Sequence, residues 1–155
     1  MRVEKDSHAG KGFYVQCFGK FEVYYNGKPV AFKRSKAKEI LAYLVDIQGT
    51  SATTEEIASV LWEDVLDTEK THKYLWTLMT ELKRVLMTYG MEEILIHRRN
   101  SYAIDRSKLK CDFFDYLDGK EESLNSWRGE YMIQYSWAET TNAWLTQTNG
   151  IGYSD

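Results

Sequence analysis

The residues of this chain best suited to chemistry are cations and hydroxyls at helical spacing, followed at once by a short cationic turn. Lys73, Thr77, Thr80, Lys83 and Arg84 recur at three- and four-residue steps within 71–89, and Arg98-Arg99-Asn100-Ser101 comes soon after. Lysine and arginine offer charge to phosphate oxygens and guanine edges. Threonine offers a hydroxyl to a base edge or a methyl to thymine. The usual groupings for catalysis or metal binding are missing. His8, His72 and His97 fall in a polar lead, a helix start and a hairpin, without HxxxH or HExxH spacing. Cys17 and Cys111 lie in different segments with no CxxC motif and read as two buried thiols. There is no GxGxxG or GxxxxGK[ST], and the pairs Glu55-Glu56, Glu92-Glu93 and Glu121-Glu122 read as caps and solvated faces. No catalysis, cofactor or metal is expected.

The elements that must position these residues follow from periodicity. Leu75, Leu78, Leu82, Val85 and Leu86 form one apolar stripe, which predicts a helix over 71–89 stopped by Gly90. With that stripe inward, Lys73, Thr77, Thr80, Glu81 and Arg84 fall broadly outward, Lys83 toward the flank and Trp76 near the outer face. Ile94 and Ile96, then Tyr102 and Ile104, read as the arms of a hairpin whose tip carries Arg98 and Arg99. Asn100 stands where such a turn prefers glycine, and asparagine tolerates the positive φ expected there.

Upstream, Phe13 to Gly19, Lys20 to Tyr25 and Pro29 to Phe32 read as three strands, the last two joined by an Asn26-Gly27 turn. Ser35 is placed to cap a helix with Ala37, Ile40, Leu41, Leu44, Val45 and Ile47 inward, ending at Gly49. A short β stretch, 50–53, precedes Thr53-Thr-Glu-Glu56, whose capping-box spacing opens a helix with Ile57, Ala58, Leu61 and Trp62 inward. Lys33, Arg34, Lys36 and Lys38 crowd the start of the first helix, where cations oppose the dipole. They fit either phosphate contact or a plain solvated end.

The chain has 155 residues, 43% hydrophobic and 14% aromatic, enough for a sizeable core. It has no apolar run long enough to span a bilayer. The lead 1–12 is polar, lacks an apolar signal region and reads as a linker from a longer parent chain. The net charge of −3 hides polarity: residues 70–110 hold nine Lys/Arg against four Asp/Glu, and 111–155 hold two against eight. The cationic part is the part with the helix and hairpin, and local field steers a polyanion more than total charge does.

In order, Phe18-Gly-Lys-Phe-Glu-Val, Val30-Ala-Phe32, Arg34-Ser-Lys-Ala-Lys-Glu-Ile-Leu-Ala-Tyr-Leu, Glu56-Ile-Ala-Ser-Val-Leu-Trp62, Leu82-Lys-Arg-Val-Leu86 and Tyr102-Ala-Ile104 resemble the OmpR/PhoB-type winged helix-turn-helix. The version most alike is that of antibiotic-regulatory-protein (SARP)-like activators. Tyr116-Leu117, Trp127-Arg-Gly-Glu-Tyr-Met132 and Tyr135-Ser-Trp137 resemble the start of the bacterial transcriptional activator domain that follows it, here a short remnant. The resemblance implies an α+β fold: an N-terminal antiparallel sheet, a winged helix-turn-helix with its C-terminal hairpin over 13–110, and a helical tail over 111–155.

It also implies a cytoplasmic effector domain of a transcription regulator, of the response-regulator kind found in two-component systems. The 71–89 helix would enter the major groove of double-stranded DNA, and the 94–104 wing would hold the adjacent backbone or minor groove. Lys73, Thr77, Thr80, Lys83, Arg84, Arg98, Arg99, Arg34 and Lys36 are the expected DNA contacts. Relatives imply a receiver domain upstream in a longer chain, an acidic loop, 63–69, free to touch RNA polymerase, and homodimers on paired half-sites. Glu81 takes a position where the family often has arginine, and there a carboxylate repels phosphates. Trp76, Glu81 and the acidic tail therefore keep a second reading open: a protein-interaction module on the same scaffold that has lost DNA binding. The tail aromatics Trp127, Tyr131, Tyr135, Trp137 and Trp144 read as core and docking face.

Overall fold

The computed structural model describes residues 10–62 and 68–154. Most of the expected acidic loop and of the polar lead lies outside them. The fold is mixed α+β, and the chain divides into two compact units: Val30–Leu109, and Met1–Pro29 together with Lys110–Asp155. Compactness thus separates residues 13–29 from the 30–110 stretch with which the sequence reading groups them. The reason is a pairing that local sequence does not announce, between the first strand and one near residue 110.

In the discontinuous unit, β1 (Phe13–Gln16) and β2 (Glu22–Tyr25) run antiparallel, and β3 (Lys28–Pro29) extends the sheet. Phe13 and Val15 are buried while Tyr14 and Gln16 are half-buried, the period of two expected of a half-covered strand. The β2–β3 turn is Asn26-Gly27 with φ of 52° and 82°, as its residue types require. The third strand is shorter than expected: it stops at Pro29, whose ring gives no N–H to a ladder. The edge opposite β3 is taken by β7 (Lys110–Cys111), parallel to β1 with Val15 opposite Cys111. Helices α4 (Asp112–Leu117), α5 (Glu121–Ser126) and α6 (Glu139–Ser154) complete the unit. Phe18 packs edge-on to Tyr116 and Trp127, and Tyr131 packs on Phe113. Trp127 and Tyr131 are therefore core as expected, whereas Trp144 is exposed.

The continuous unit packs α1 (Ser35–Asp46), α2 (Thr54–Leu61) and α3 (Thr68–Thr88) around Ile40, Leu41, Leu44, Ile57, Leu78, Leu82 and Leu86, all fully buried. Each such side chain contributes about 1.5–3 kcal/mol of transfer free energy. Ser35 is not the cap of α1; Arg34 holds that position in extended geometry, with no side-chain cap. The box at α2 forms as its spacing predicts. The Glu56 N–H donates to Thr53 Oγ1 at 3.1 Å and the Thr53 N–H donates to Glu56 Oε1 at 2.8 Å. Strand β4 (Ala52–Thr53) pairs with β6 (Ser101–Ile104), which pairs with β5 (Leu95–Arg98), so a three-stranded sheet closes this unit. No helix among the described residues is long and apolar enough to cross a membrane.

Candidate nucleic-acid interface

Helix α3 runs for 21 residues without glycine or proline inside it. Leu75, Leu78, Met79, Leu82, Val85 and Leu86 are buried on one side, and Lys73, Trp76, Thr80, Arg84 and Met87 are exposed on the other. Thr77 is half-buried between the two faces. Trp76 stands out because 68% of it is exposed in the middle of that outer face. Tyr74, one residue off the stripe, is also exposed, and its ring lies 5.4 Å from that of Trp62. Trp62 closes α2 half-exposed against Tyr74 instead of pointing inward.

Glu81 does not face outward. It is 5% exposed and accepts the backbone N–H of Lys33 at 2.6 Å. Arg84 Nη2 donates to its other oxygen at 3.0 Å, and Arg34 Nη1 stands 3.9 Å away. Burial alone would raise its pKa. The bonds from Arg84 and the Lys33 N–H outweigh that, so the carboxylate is held below its ordinary value. The expected repulsion of phosphates therefore falls away: this carboxylate is spent on fixing two guanidinium groups beside the exposed face.

The expected contacts divide by what they already hold. Arg34 and Arg84 flank Glu81 with about half of each side chain exposed, 46% and 52%. Lys36 is tied down, its Nζ donating to the Leu61 carbonyl at 2.9 Å and to Glu39 at 3.2 Å. It thereby satisfies a terminal carbonyl of α2. Lys83 Nζ lies 3.1 Å from His97 Nδ1 and 5.7 Å from the centre of the Tyr102 ring. His97 in turn stacks on Tyr102, with centroids 4.3 Å apart. Lys83 thus couples α3 to the hairpin, and His97, incidental in the sequence, is half of that joint. Burial first and Lys83 second hold the imidazole pKa below its usual value, which keeps it neutral and able to accept from the ammonium.

The hairpin carries Arg98 and Arg99, both exposed. Arg98 pairs with Ser101, so Arg99-Asn100 is a two-residue link. Asn100 does not use a positive φ as expected, since among the described non-glycine residues only Asn26, Gln48 and Met132 do. The tip is instead anchored to the start of α2. The Thr54 N–H donates to the Asn100 carbonyl at 3.3 Å, and Thr54 Oγ1 donates to Asn100 Oδ1 at 3.0 Å. Two exposed guanidinium groups on a fixed tip, in the same unit as a helix face bearing Lys73, Thr80 and Arg84, can hold phosphates while the face meets base edges.

The other unit holds a polar cluster that the sequence leaves dispersed. Cys17 and Cys111 are both buried with Sγ atoms 3.4 Å apart, and Asp112 is beside them. Both Asp112 oxygens are engaged, accepting the N–H of Cys17 at 2.7 Å and of Phe18 at 3.1 Å. A separation of 94 residues hides the pair; only the parallel pairing of β1 with β7 brings it together.

No protein-family model matches the sequence, and no curated protein matches it. A solved structure does: Mycobacterium tuberculosis EmbR in complex with a low-affinity phosphopeptide, with a TM-score of 0.73 and 17% identity over 93% of this chain. The fold is similar to that of EmbR. The match takes in 44% of EmbR, so this chain spans less than half the length of that protein.

Proposed function

We propose that the chain is a sequence-specific DNA-binding effector domain of a bacterial transcription regulator, and not an enzyme. In this reading α1, α2 and α3 with the β5–β6 hairpin are a winged helix-turn-helix. The exposed face of α3 enters the major groove, and Arg98 and Arg99 hold the adjacent backbone or minor groove, where arginine is favoured. The observation that carries it is the anchored, exposed Arg98-Arg99 tip in the same unit as the face of Lys73, Thr80 and Arg84. The motifs shared with OmpR/PhoB-type and SARP-like regulators and the fold shared with EmbR support it. From the same resemblance come a cytoplasmic setting, an upstream receiver domain, dimers on paired half-sites and contact between loop 63–69 and RNA polymerase. The tail acts as a remnant of a transcriptional activator domain.

The rival reading, a protein-interaction module on this scaffold, is favoured by one observation, the exposure of Trp76 and Tyr74 on the same helix. A second warrant, a carboxylate turned toward phosphates, is gone with the inward placement of Glu81. The EmbR complex holds a phosphopeptide, and the shared region is less than half of that protein.

The test is fluorescence anisotropy of a mixed-sequence duplex across a salt series, with wild type beside Arg98→Ala/Arg99→Ala. The expected result is salt-sensitive binding whose log–log slope shrinks by about two in the double variant, one unit per lost phosphate contact. Absence of binding at low salt would overturn DNA contact by this chain and leave the protein-interaction reading.

A further inference from the structure

The chemistry of the α3 face narrows what it can read. Thr77 Oγ1 donates to the Lys73 carbonyl at 3.2 Å, and Thr80 Oγ1 donates to the Trp76 carbonyl at 2.9 Å. Each hydroxyl has spent its only proton one turn back along its own helix. Guanine N7 and O6, adenine N7 and thymine O4 all need a donor, which these threonines no longer supply. What remains on each is a γ-methyl and a hydroxyl oxygen that can only accept. Trp76, just before them in sequence, adds a large exposed indole four residues before Thr80 and three after Lys73. The forked donor on the same face, Arg84, is held at 3.0 Å by Glu81, and Lys83 is held by His97. Reading guanine through Nη2 would draw Arg84 away from a buried carboxylate. An apolar stripe between cations suits the one apolar mark on a base-pair edge, the thymine C5 methyl, which only the major groove displays.

We propose that this face specifies its DNA through thymine methyl groups, with Trp76 as the main contact and the Thr77 and Thr80 methyls beside it. The inference rests on the DNA-binding reading and adds what the face recognises. Lys73, Arg98 and Arg99 supply the charge that brings the duplex there, and the apolar stripe supplies the choice among sequences.

The experiment begins with the full chain and a randomised duplex pool. Selected sites are expected to fix thymines at particular positions. Each is then replaced by deoxyuridine, which keeps base pairing and removes only the methyl. Wild type should lose roughly fourfold in affinity per contacted methyl, the value of one buried carbon. Trp76→Ala should bind the selected thymine duplex several-fold more weakly and be indifferent to deoxyuridine, and Trp76→Phe should recover part of the sensitivity. Because Trp76 is exposed, Trp76→Ala keeps its fold, which circular dichroism checks. Binding without thymine selection, or deoxyuridine sensitivity that persists in Trp76→Ala, overturns the inference and leaves DNA binding standing. Full affinity of Trp76→Ala for every duplex also overturns it and assigns the indole to a protein partner. A chain that selects no duplex overturns both readings together.

Discussion

Two buried carboxylates, one in each compact unit, are close to equal in exposure and opposite in chemistry. Glu81 and Asp112 are 5% and 7% exposed, and both accept backbone N–H groups. Glu81 also has Arg84 and Arg34 beside it, and its pKa is held down. Asp112 has no ion pair among the described residues. Burial pushes it up to about 6, with N–H bonds from Cys17, Phe18 and Phe113 offsetting only part of the cost. One carboxylate exists to aim positive charge at a surface; the other exists to close a turn of backbone. A fixed array of guanidinium groups is what a polyanion site needs, and among the described residues it is found in only one of the two units. The functional reading and the electrostatics therefore single out the same place.

The largest effect should come from Asp112→Ala, which leaves two buried N–H groups without acceptors. A loss of about 2–4 kcal/mol in urea denaturation is expected, with little change in any DNA affinity measured on the surviving fold. Glu81→Ala strands the Lys33 N–H and releases Arg34 and Arg84. About 1–3 kcal/mol should be lost by the same measurement, and here DNA affinity should change as well, because the guanidinium groups lose their anchor. An effect of Glu81→Ala confined to stability, like that of Asp112→Ala, would erase the distinction.

The smallest effect lies in the pH dependence, where the two should have opposite signs. Asp112 has a raised folded pKa, so its contribution is complete below the ordinary 3.8 and is lost as pH rises toward about 6. Glu81 has a lowered folded pKa, so its contribution is complete above the ordinary 4.5 and is lost as pH falls below it. Urea midpoints read from pH 3 to 7 should lose the fall between about 4 and 6 in Asp112→Asn and the acid limb below 4.5 in Glu81→Gln. An unchanged profile in either variant would show that its carboxylate does not carry that limb.

The sequence revealed most where an element is written locally. Asn26-Gly27, the Thr53/Glu56 box, the leucine stripe of α3 and the paired arms around Arg98 and Ser101 each depend on neighbours a few residues apart, and each formed. Glu81 lies three residues after Leu78 and four before Val85, so periodicity places it toward the buried side of the helix where its charge suggests the outer face. Its two arginine partners and the Lys33 N–H explain why a carboxylate sits there. Ser35 lost the cap because the helix begins one residue earlier than its residue type suggests. Lys36, Lys83 and His97 took structural partners contributed by α2 and the hairpin, which no helical wheel of one segment contains. The meeting of Cys17 with Cys111 and Asp112 needed the parallel β1–β7 pairing, set by topology and not by any local pattern.

The most direct test of the central claim is an amide and indole NMR titration of the full chain with a duplex at low salt. The account predicts shift changes at Lys73, Trp76, Thr80, Arg84, Arg98 and Arg99, including the Trp76 indole N–H, while Cys17, Cys111 and Asp112 stay still. Changes centred on the unit that holds Asp112, with the α3 face and the hairpin tip unmoved, would contradict it.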